Sequence, residues 1–482
     1  MKQMGRKVTA GVFWNLGGVF ASRGASTIFM LFLAGLLAPE AFGLIAMVVV
    51  VFSVTNVFID SGLSQALIRS KQVSDADLDT VFISNIVISV IVYIVVYFCA
   101  PFIASFYAQP ELELLVRIMA LSLLVNATKL VQLAILSRQM NFKVQMKADT
   151  IGVVISGVVA VGAAYIGAGV WALVIQLLVS GLVSAIIIWW CSNWKPALRF
   201  SQESFKNLFG FGIHILTEGI LSQLYQNSSI LVIGRFFTTE LTGLYFFADR
   251  LSKAISQQIT NAVQKVTYPA LATLQDENEQ LLYKYRQIIQ IITFLISPAM
   301  LILAGIAPPL FSLLFDEPWH AAVPYMQLMC IGAVLYPIHS INLNILKVKG
   351  RPDLVVKVGL VKKGVNLSLL FLAIPYGVFG IVVSQLIGSF FSLVPNAYYS
   401  VKLIDYSFSK QFADVMKPIF SASIAGLVVV YFVQISTMSY ILNVALGLSI
   451  GLVVYLLVSC LTRSEGLVIL ARIFPTTYFN FK

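Results

Sequence analysis

Apolar residues in this chain gather into runs of about twenty or more, parted by short polar stretches. A helical run of that length crosses a hydrocarbon core of about 30 Å at 1.5 Å per residue. Six such segments lie near residues 9–37, 41–67, 79–106, 114–137, 146–167 and 170–191. A polar connector at 192–205 follows, and then eight more segments: 207–233, 240–273, 287–315, 321–346, 354–375, 378–400, 416–434 and 440–461. The pattern predicts an all-α integral membrane protein of fourteen transmembrane helices. The first segment opens on Lys2, Arg6 and Lys7, as a signal peptide would. It outruns a short apolar core and carries Arg23, so it reads as an uncleaved helix.

Composition agrees with this pattern: 59% of the 482 residues are hydrophobic and 11% charged, against roughly 45–50% and about 25% in soluble domains. A soluble globular protein is excluded. The net charge of +11 is not gathered on one basic face, which argues against a nucleic-acid partner. Its distribution is topological instead. With the N-terminus in the cytoplasm, 23 of the 32 lysines and arginines fall in cytoplasmic segments and one, Arg235, in an opposite loop. The opposite loops carry Glu40, Glu111, Glu113, Glu240, Asp316 and Glu317. A missed or invented span would scramble this alternation, so both termini are expected in the cytoplasm. External connections such as 166–169 and 436–439 are too short to build a catalytic domain. Cys99, Cys191, Cys330 and Cys460 sit in separate apolar segments without a C-x-x-C pair, and His214, His320 and His339 have no metal-ligand spacing. No metal and no cofactor are expected.

The end of the first segment, Pro39-Glu40-Ala41-Phe42-Gly43-Leu44, returns as Thr239-Glu240-Leu241-Thr242-Gly243-Leu244 at an offset of 200. Six helices separate the two, an even number, so the repeat is expected to be parallel. This divides the chain into an N-terminal lobe at 1–199 with helices one to six and a second lobe at 200–400 with helices seven to twelve. Helices thirteen and fourteen with a cytoplasmic tail follow at 401–482. Polar stripes mark particular spans: Ser53, Asn56, Asp60 and Ser64 in the second, and Asp249, Lys253, Gln257, Thr260 and Gln264 in the eighth, edged by Arg250, Asn261 and Lys265. The first offers Asn15, Ser22, Arg23, Ser26 and Thr27; the seventh offers His214, Glu218, Ser222, Gln226 and Asn227. Span four adds Ser122, Asn126 and Lys129. Lipid cannot solvate such stripes, so they are expected to line a central cavity between the lobes or to face one another. Arg23, Arg250, Asp60 and Glu218 lie too deep to snorkel. Asp249 and Lys253, at i and i+4, can serve the cavity or neutralise one another. Lys362 and Lys363 read as surface or snorkelling residues, and His214 and His339 as hydrogen-bonded core histidines.

The opening Gly11-Val12-Phe13-Trp14-Asn15-Leu16, Arg23 in the same helix, the Pro39-Glu40-x-x-Gly43-Leu44 turn and the segment Asp60-Ser61-Gly62-Leu63-Ser64-Gln65-Ala66-Leu67-Ile68 resemble the Wzx-type polysaccharide-unit flippases. These belong to the multidrug/oligosaccharidyl-lipid/polysaccharide exporter superfamily, and the chain looks most similar to the colanic-acid-exporter branch. The resemblance implies a transporter rather than an enzyme, in the bacterial inner membrane. Its cargo would be an undecaprenyl-pyrophosphate-linked oligosaccharide, moved from the cytoplasmic to the periplasmic leaflet by alternating access. Membrane lipids are implied partners, with the polysaccharide polymerase and export machinery as further ones. Carried over by helix and depth, pyrophosphate binding falls to Arg23 and Arg250, then Lys253 and Lys129. Asp60, Glu218 and Asp249 nearly balance these bases, which makes the cavity amphoteric; the acids are candidates for contacting sugar hydroxyls or carrying a counter-transported proton. Two rivals stand beside this reading: a cation-coupled multidrug exporter of the same superfamily, and a membrane-embedded polymerase or glycosyltransferase.

Overall fold

A computed structural model describes residue 17 and residues 21–473, apart from Ser61, Lys71 and Leu198. The Gly11–Leu16 motif, Asn15 within it, and Lys2, Arg6, Lys7 and Lys482 lie outside the described residues, as do the side chains of His214 and Lys265. The described residues form helices and no strands: α1 (Ala21–Ala34), α2 (Pro39–Asp60), α3 (Leu63–Arg69), α4 (Asp75–Tyr107), α5 (Glu111–Met119), α6 (Leu121–Arg138), α7 (Phe142–Tyr165), α8 (Val170–Cys191), α9 (Gln202–Gln226), α10 (Ser228–Phe236) and α11 (Thr239–Ala272). They continue with α12 (Asn278–Leu314), α13 (Val323–Ala333), α14 (Tyr336–Val348), α15 (Pro352–Ala373), α16 (Gly377–Ile404), α17 (Phe408–Ile435), α18 (Tyr440–Leu461) and α19 (Glu465–Ile473).

Among the described residues, ten helical stretches are long and apolar enough to cross a membrane. The difference from the fourteen segments of the sequence has identifiable sources. The first segment is described as the short apolar helix Ala21–Ala34. The segments at 207–233 and 240–273 are helical as α9 with α10 and as α11, yet their polar stripes leave them less apolar than those ten. Pro352–Ile404 is one apolar stretch of 53 residues, but Gly377, at φ +73°, parts α15 from α16. Arg117 falls within the apolar stretch Glu111–Arg138, on its amphipathic first part α5, where it pairs with Glu113 at 2.8 Å and lies 4.6 Å from the Tyr97 ring centre.

Helix ends follow local chemistry. Ser74 caps α4 through a reciprocal box with Asp77, which satisfies two otherwise orphaned donors. The polar connector after α8 is clamped to the same helix end: the Ala197 amide donates to the buried Asp79 carboxylate at 2.9 Å, and the Ser201 amide to Thr80 Oγ1 at 3.0 Å.

The chain divides into two compact units, Met1–Phe246 and Phe247–Lys482. In the first, α7 and α8 pack through Gly152, where a Cβ would come 3.0 Å from the Ser180 carbonyl oxygen. Leu63, Leu67, Val81, Val131 and Leu208 join α3, α4, α6 and α9 in one core. The two turns matched at an offset of 200 lie against each other in this unit. A Cβ on Gly43 would come 1.9 Å from the Thr239 carbonyl oxygen, and one on Gly243 would come 1.8 Å from that of Pro39. Each glycine therefore meets the residue equivalent to the other's partner, the reciprocity of a local two-fold. In the second unit, α12 packs along α17 and α18 on small residues: Gly426 lies against the Leu301 backbone, and Gly447 and Gly451 against Ile306 and Ile302. Close backbone approach of this kind drives helix association where lipid supplies no hydrophobic force. Phe247, Phe311, Phe315 and Trp319 form an aromatic cluster at one end.

Candidate functional site

In the first unit the polar stripes of three spans meet. Gly219 on α9 lies against Val57 of α2, where a Cβ would come within 2.6 Å. Asn227, just beyond α9, can therefore donate through Nδ2 to Ser53 Oγ at 2.9 Å. One turn on, Asn126 of α6 donates to Asn56 Oδ1 at 3.5 Å. Asp60 ends α2 and keeps a buried Oδ1 without a hydrogen-bond partner among the described residues. Gly62 then turns the chain at φ +68°, with its Cβ position only 2.8 Å from the Gly212 backbone. Arg23 is exposed on α1, and Glu218 is exposed on α9. Lys129 is half-buried on α6, in electrostatic reach of Asp149 on α7. That carboxylate accepts a hydrogen bond from Ser184 at 3.2 Å. Among the described residues, no hydrogen bond or ion pair joins Arg23, Asp60, Lys129 and Glu218 to one another.

In the second unit, Lys253 Nζ sits 2.7 Å from Asp249 Oδ1, so these two neutralise one another. Arg250 is exposed on the same helix. Thr260 leaves the wet stripe: it is fully buried and donates to the Ser256 carbonyl at 2.8 Å. Gln264 donates to Ser340 on α14. His339 is hydrogen-bonded within the bundle, through Nδ1 to Asn396 Nδ2 at 2.9 Å and Nε2 to Ser389 Oγ at 3.2 Å. Lys362 departs from the surface reading, being half-buried and donating to Asn396 Oδ1 at 3.4 Å.

Two acids escaped the sequence reading. Asp149 lies in a span whose hydropathy tolerates it, and pairing it with Lys129 requires knowing that α6 and α7 are neighbours. Asp414 lies just ahead of the apolar run at 416–434, but α17 begins at Phe408 and includes it. Its carboxylate receives Arg286 Nε and Nη2 at 2.6 and 2.8 Å, Gln290 at 2.9 Å and the Tyr406 hydroxyl at 2.5 Å. The only advance signal was the i, i+4 spacing of Arg286 and Gln290 on one face of α12.

Among the described residues no cluster of histidine, cysteine, aspartate and glutamate could hold a metal ion. The architecture is that of a multi-pass membrane protein. It is similar to the lipid II flippase MurJ in an inward closed conformation, with a TM-score of 0.75 and 15% identity over 93% of this chain and 98% of that one. It is also similar to an inward-facing multidrug resistance MATE family transporter of the MOP superfamily, with a TM-score of 0.63 and 16% identity over 82% and 99% of the two chains. These likenesses define the class by fold: the helical membrane architecture that flippases and MATE transporters share.

Residues 32–324 match the family described as polysaccharide biosynthesis protein, and the chain belongs to it. The lipopolysaccharide biosynthesis protein WzxC of Escherichia coli (strain K12) is 23% identical over 91% of this chain and 88% of its own length. The teichuronic acid biosynthesis protein TuaB of Bacillus subtilis (strain 168) is 25% identical over 82% of each. The succinoglycan biosynthesis transport protein ExoT of Rhizobium meliloti (strain 1021) is 26% identical over 68% of this chain and 66% of its own.

Proposed function

We propose that the protein is a Wzx-type flippase that moves an undecaprenyl-pyrophosphate-linked oligosaccharide repeat from the cytoplasmic to the periplasmic leaflet by alternating access. The observation that carries the reading is Arg23: an exposed guanidinium on an apolar helix, forming no ion pair among the described residues. An intramembrane charge is costly and is retained for a ligand or a partner. Guanidinium suits a pyrophosphate because it donates two parallel hydrogen bonds. We assign pyrophosphate binding to Arg23 and Arg250, with Lys253, which Asp249 neutralises in part, and Lys129, near Asp149, as weaker contributors. Asp60 and Glu218 are then left for sugar hydroxyls or a proton. An inside-negative potential favours the outward step by about 2.3 kcal/mol per charge per 100 mV.

A strain lacking the protein should accumulate a complete oligosaccharide repeat on undecaprenyl pyrophosphate at the cytoplasmic leaflet, with unchanged sensitivity to cationic dyes. Returning the chain with Arg23→Ala or Arg250→Ala should leave export down about tenfold or more, the loss of one charge-assisted bidentate contact, at near-normal membrane abundance. Lysine at either position should rescue in part. Wild-type export from both alanine variants would remove the pyrophosphate role. Normal lipid-linked intermediates with dye hypersensitivity would favour the drug exporter, and a truncated sugar would favour a glycosyltransferase.

We place both termini in the cytoplasm of a fourteen-helix chain, on the charge alternation described above. With Cys99, Cys191, Cys330 and Cys460 replaced, Gln72→Cys and Ser409→Cys should be shielded from an impermeant thiol reagent in intact cells. Glu240→Cys and Thr437→Cys should react. All four positions are exposed, so protection reports the side of the membrane rather than packing.

A further inference from the structure

Three helices of the second unit bring two bases to one amide. Lys362 stands ten residues into the 22-residue α15, about 15 Å from either end. Asn396 of α16 is fully buried. Its Oδ1 faces Lys362 Nζ at 3.4 Å and its Nδ2 faces His339 Nδ1 at 2.9 Å, while His339 Nε2 meets Ser389 Oγ at 3.2 Å.

A carboxamide offers one accepting end and one donating end. Where oxygen faces a base, that base can be protonated; where the NH2 group faces it, the base must present a bare lone pair. With Oδ1 toward Lys362, the ammonium donates and His339 is neutral, its Nε2–H donated to Ser389. Turning the amide over reverses the assignment: Nδ2 donates to a neutral amine, and Oδ1 accepts Nδ1–H from an imidazolium. Either orientation satisfies every member, and neither admits two charges. The conclusion holds whichever way the amide is drawn.

Among the described residues, no carboxylate is hydrogen-bonded or ion-paired with Lys362 or His339. On the helices packed around the network, Asp353 is gripped by Arg351 at 2.9 Å, Asp414 by Arg286, and Glu279 lies in the first turn of α12. The other charged or titratable groups on these helices include Tyr285 of α12, Tyr325 and Cys330 of α13, Tyr336 and Lys347 of α14, Lys357 and Lys363 of α15, and Tyr398, Tyr399 and Lys402 of α16. None of them is a carboxylate.

We propose that Lys362, Asn396 and His339 form a one-proton exchange site, in which the Asn396 amide turns over as a proton leaves one base and the other takes one up from water. A role in driving transport rests on the flippase reading above. The site itself is tested without substrate. The full chain, labelled with 15N in histidine and lysine side chains and held in lipid bilayers, is titrated from pH 5 to 9 by solid-state NMR. His339 should stay neutral wherever Lys362 is charged, and Lys362→Met should let His339 take up a proton at a higher pH than it does in the wild type. Both groups charged at one pH overturns the site, as does a His339 titration indifferent to Lys362→Met; the wild-type titration decides alone if that variant does not fold. In vesicles, Lys362→Arg keeps a charge that cannot leave. It should reduce the response of lipid-linked saccharide transport to an imposed pH gradient at least tenfold, and an unchanged response would show that transport does not use this proton. Wild-type vesicles that move no saccharide would count against the flippase reading and leave the NMR result standing.

Discussion

Alanine at Gly43 or at Gly243 will each lower stability by about 1–3 kcal/mol, the usual cost of overpacking, and the double replacement will cost clearly less than the two added together. The clash at either site is with a carbonyl oxygen, at 1.9 and 1.8 Å, so no rotamer change relieves it. The two turns must part by roughly 1.5 Å to restore ordinary van der Waals separation. The contacts are reciprocal, so the movement that admits one methyl opens space for the other. The shortfall from additivity is the coupling a double-mutant cycle reads. Denaturant unfolding in micelles measures all three variants. Gly162→Ala is the control: nothing lies within 4 Å of its Cβ position, and alanine in a helix is favoured over glycine by about 1 kcal/mol. Additive losses, or a Gly162 variant as unstable as the other two, would show that the reciprocal contact is not the cause.

Asp414→Asn will destabilise the second unit by about 2–3 kcal/mol, although the side chain keeps its shape. The carboxylate accepts four hydrogen bonds, two from Arg286 and one each from Gln290 and Tyr406. An amide replaces one accepting oxygen with a donor that faces donors, and it leaves Arg286 without its counter-charge. Breaking a buried pair costs about 3–5 kcal/mol. The Arg286 side chain is 41% exposed, so it can regain water and the loss falls at or below the lower end. Asp414→Ala combined with Arg286→Ala should be milder than the sum of the single changes, because neither charge is then stranded. A fully additive pair, or an asparagine variant as stable as the wild type, would mean that the cluster does not tie α12 to α17.

Periodicity and charge carried much of this protein in the sequence itself. Each long apolar run became helix wherever residues are described, because an unpaired backbone amide cannot be left in lipid and a helix satisfies its own. The glycines at 43 and 243 were visible as a repeat, and the stripes of α2, α6 and α9 were visible as faces that lipid would reject. Which faces meet was not visible. Asn227 reaches Ser53 because Gly219 admits Val57, a contact between residues more than 160 positions apart. The same limit hid the roles of the charges. Lys129 and Asp149 come within electrostatic reach only because α6 and α7 are neighbours. Lys362 and His339 looked like unrelated residues in separate spans until α16 placed Asn396 between them. Hydropathy records what each residue costs in lipid and so determines the helices by itself. Where the partner of a buried polar group lies on another helix, as for Asp414 and Asn396, only the tertiary structure decides which helix that is.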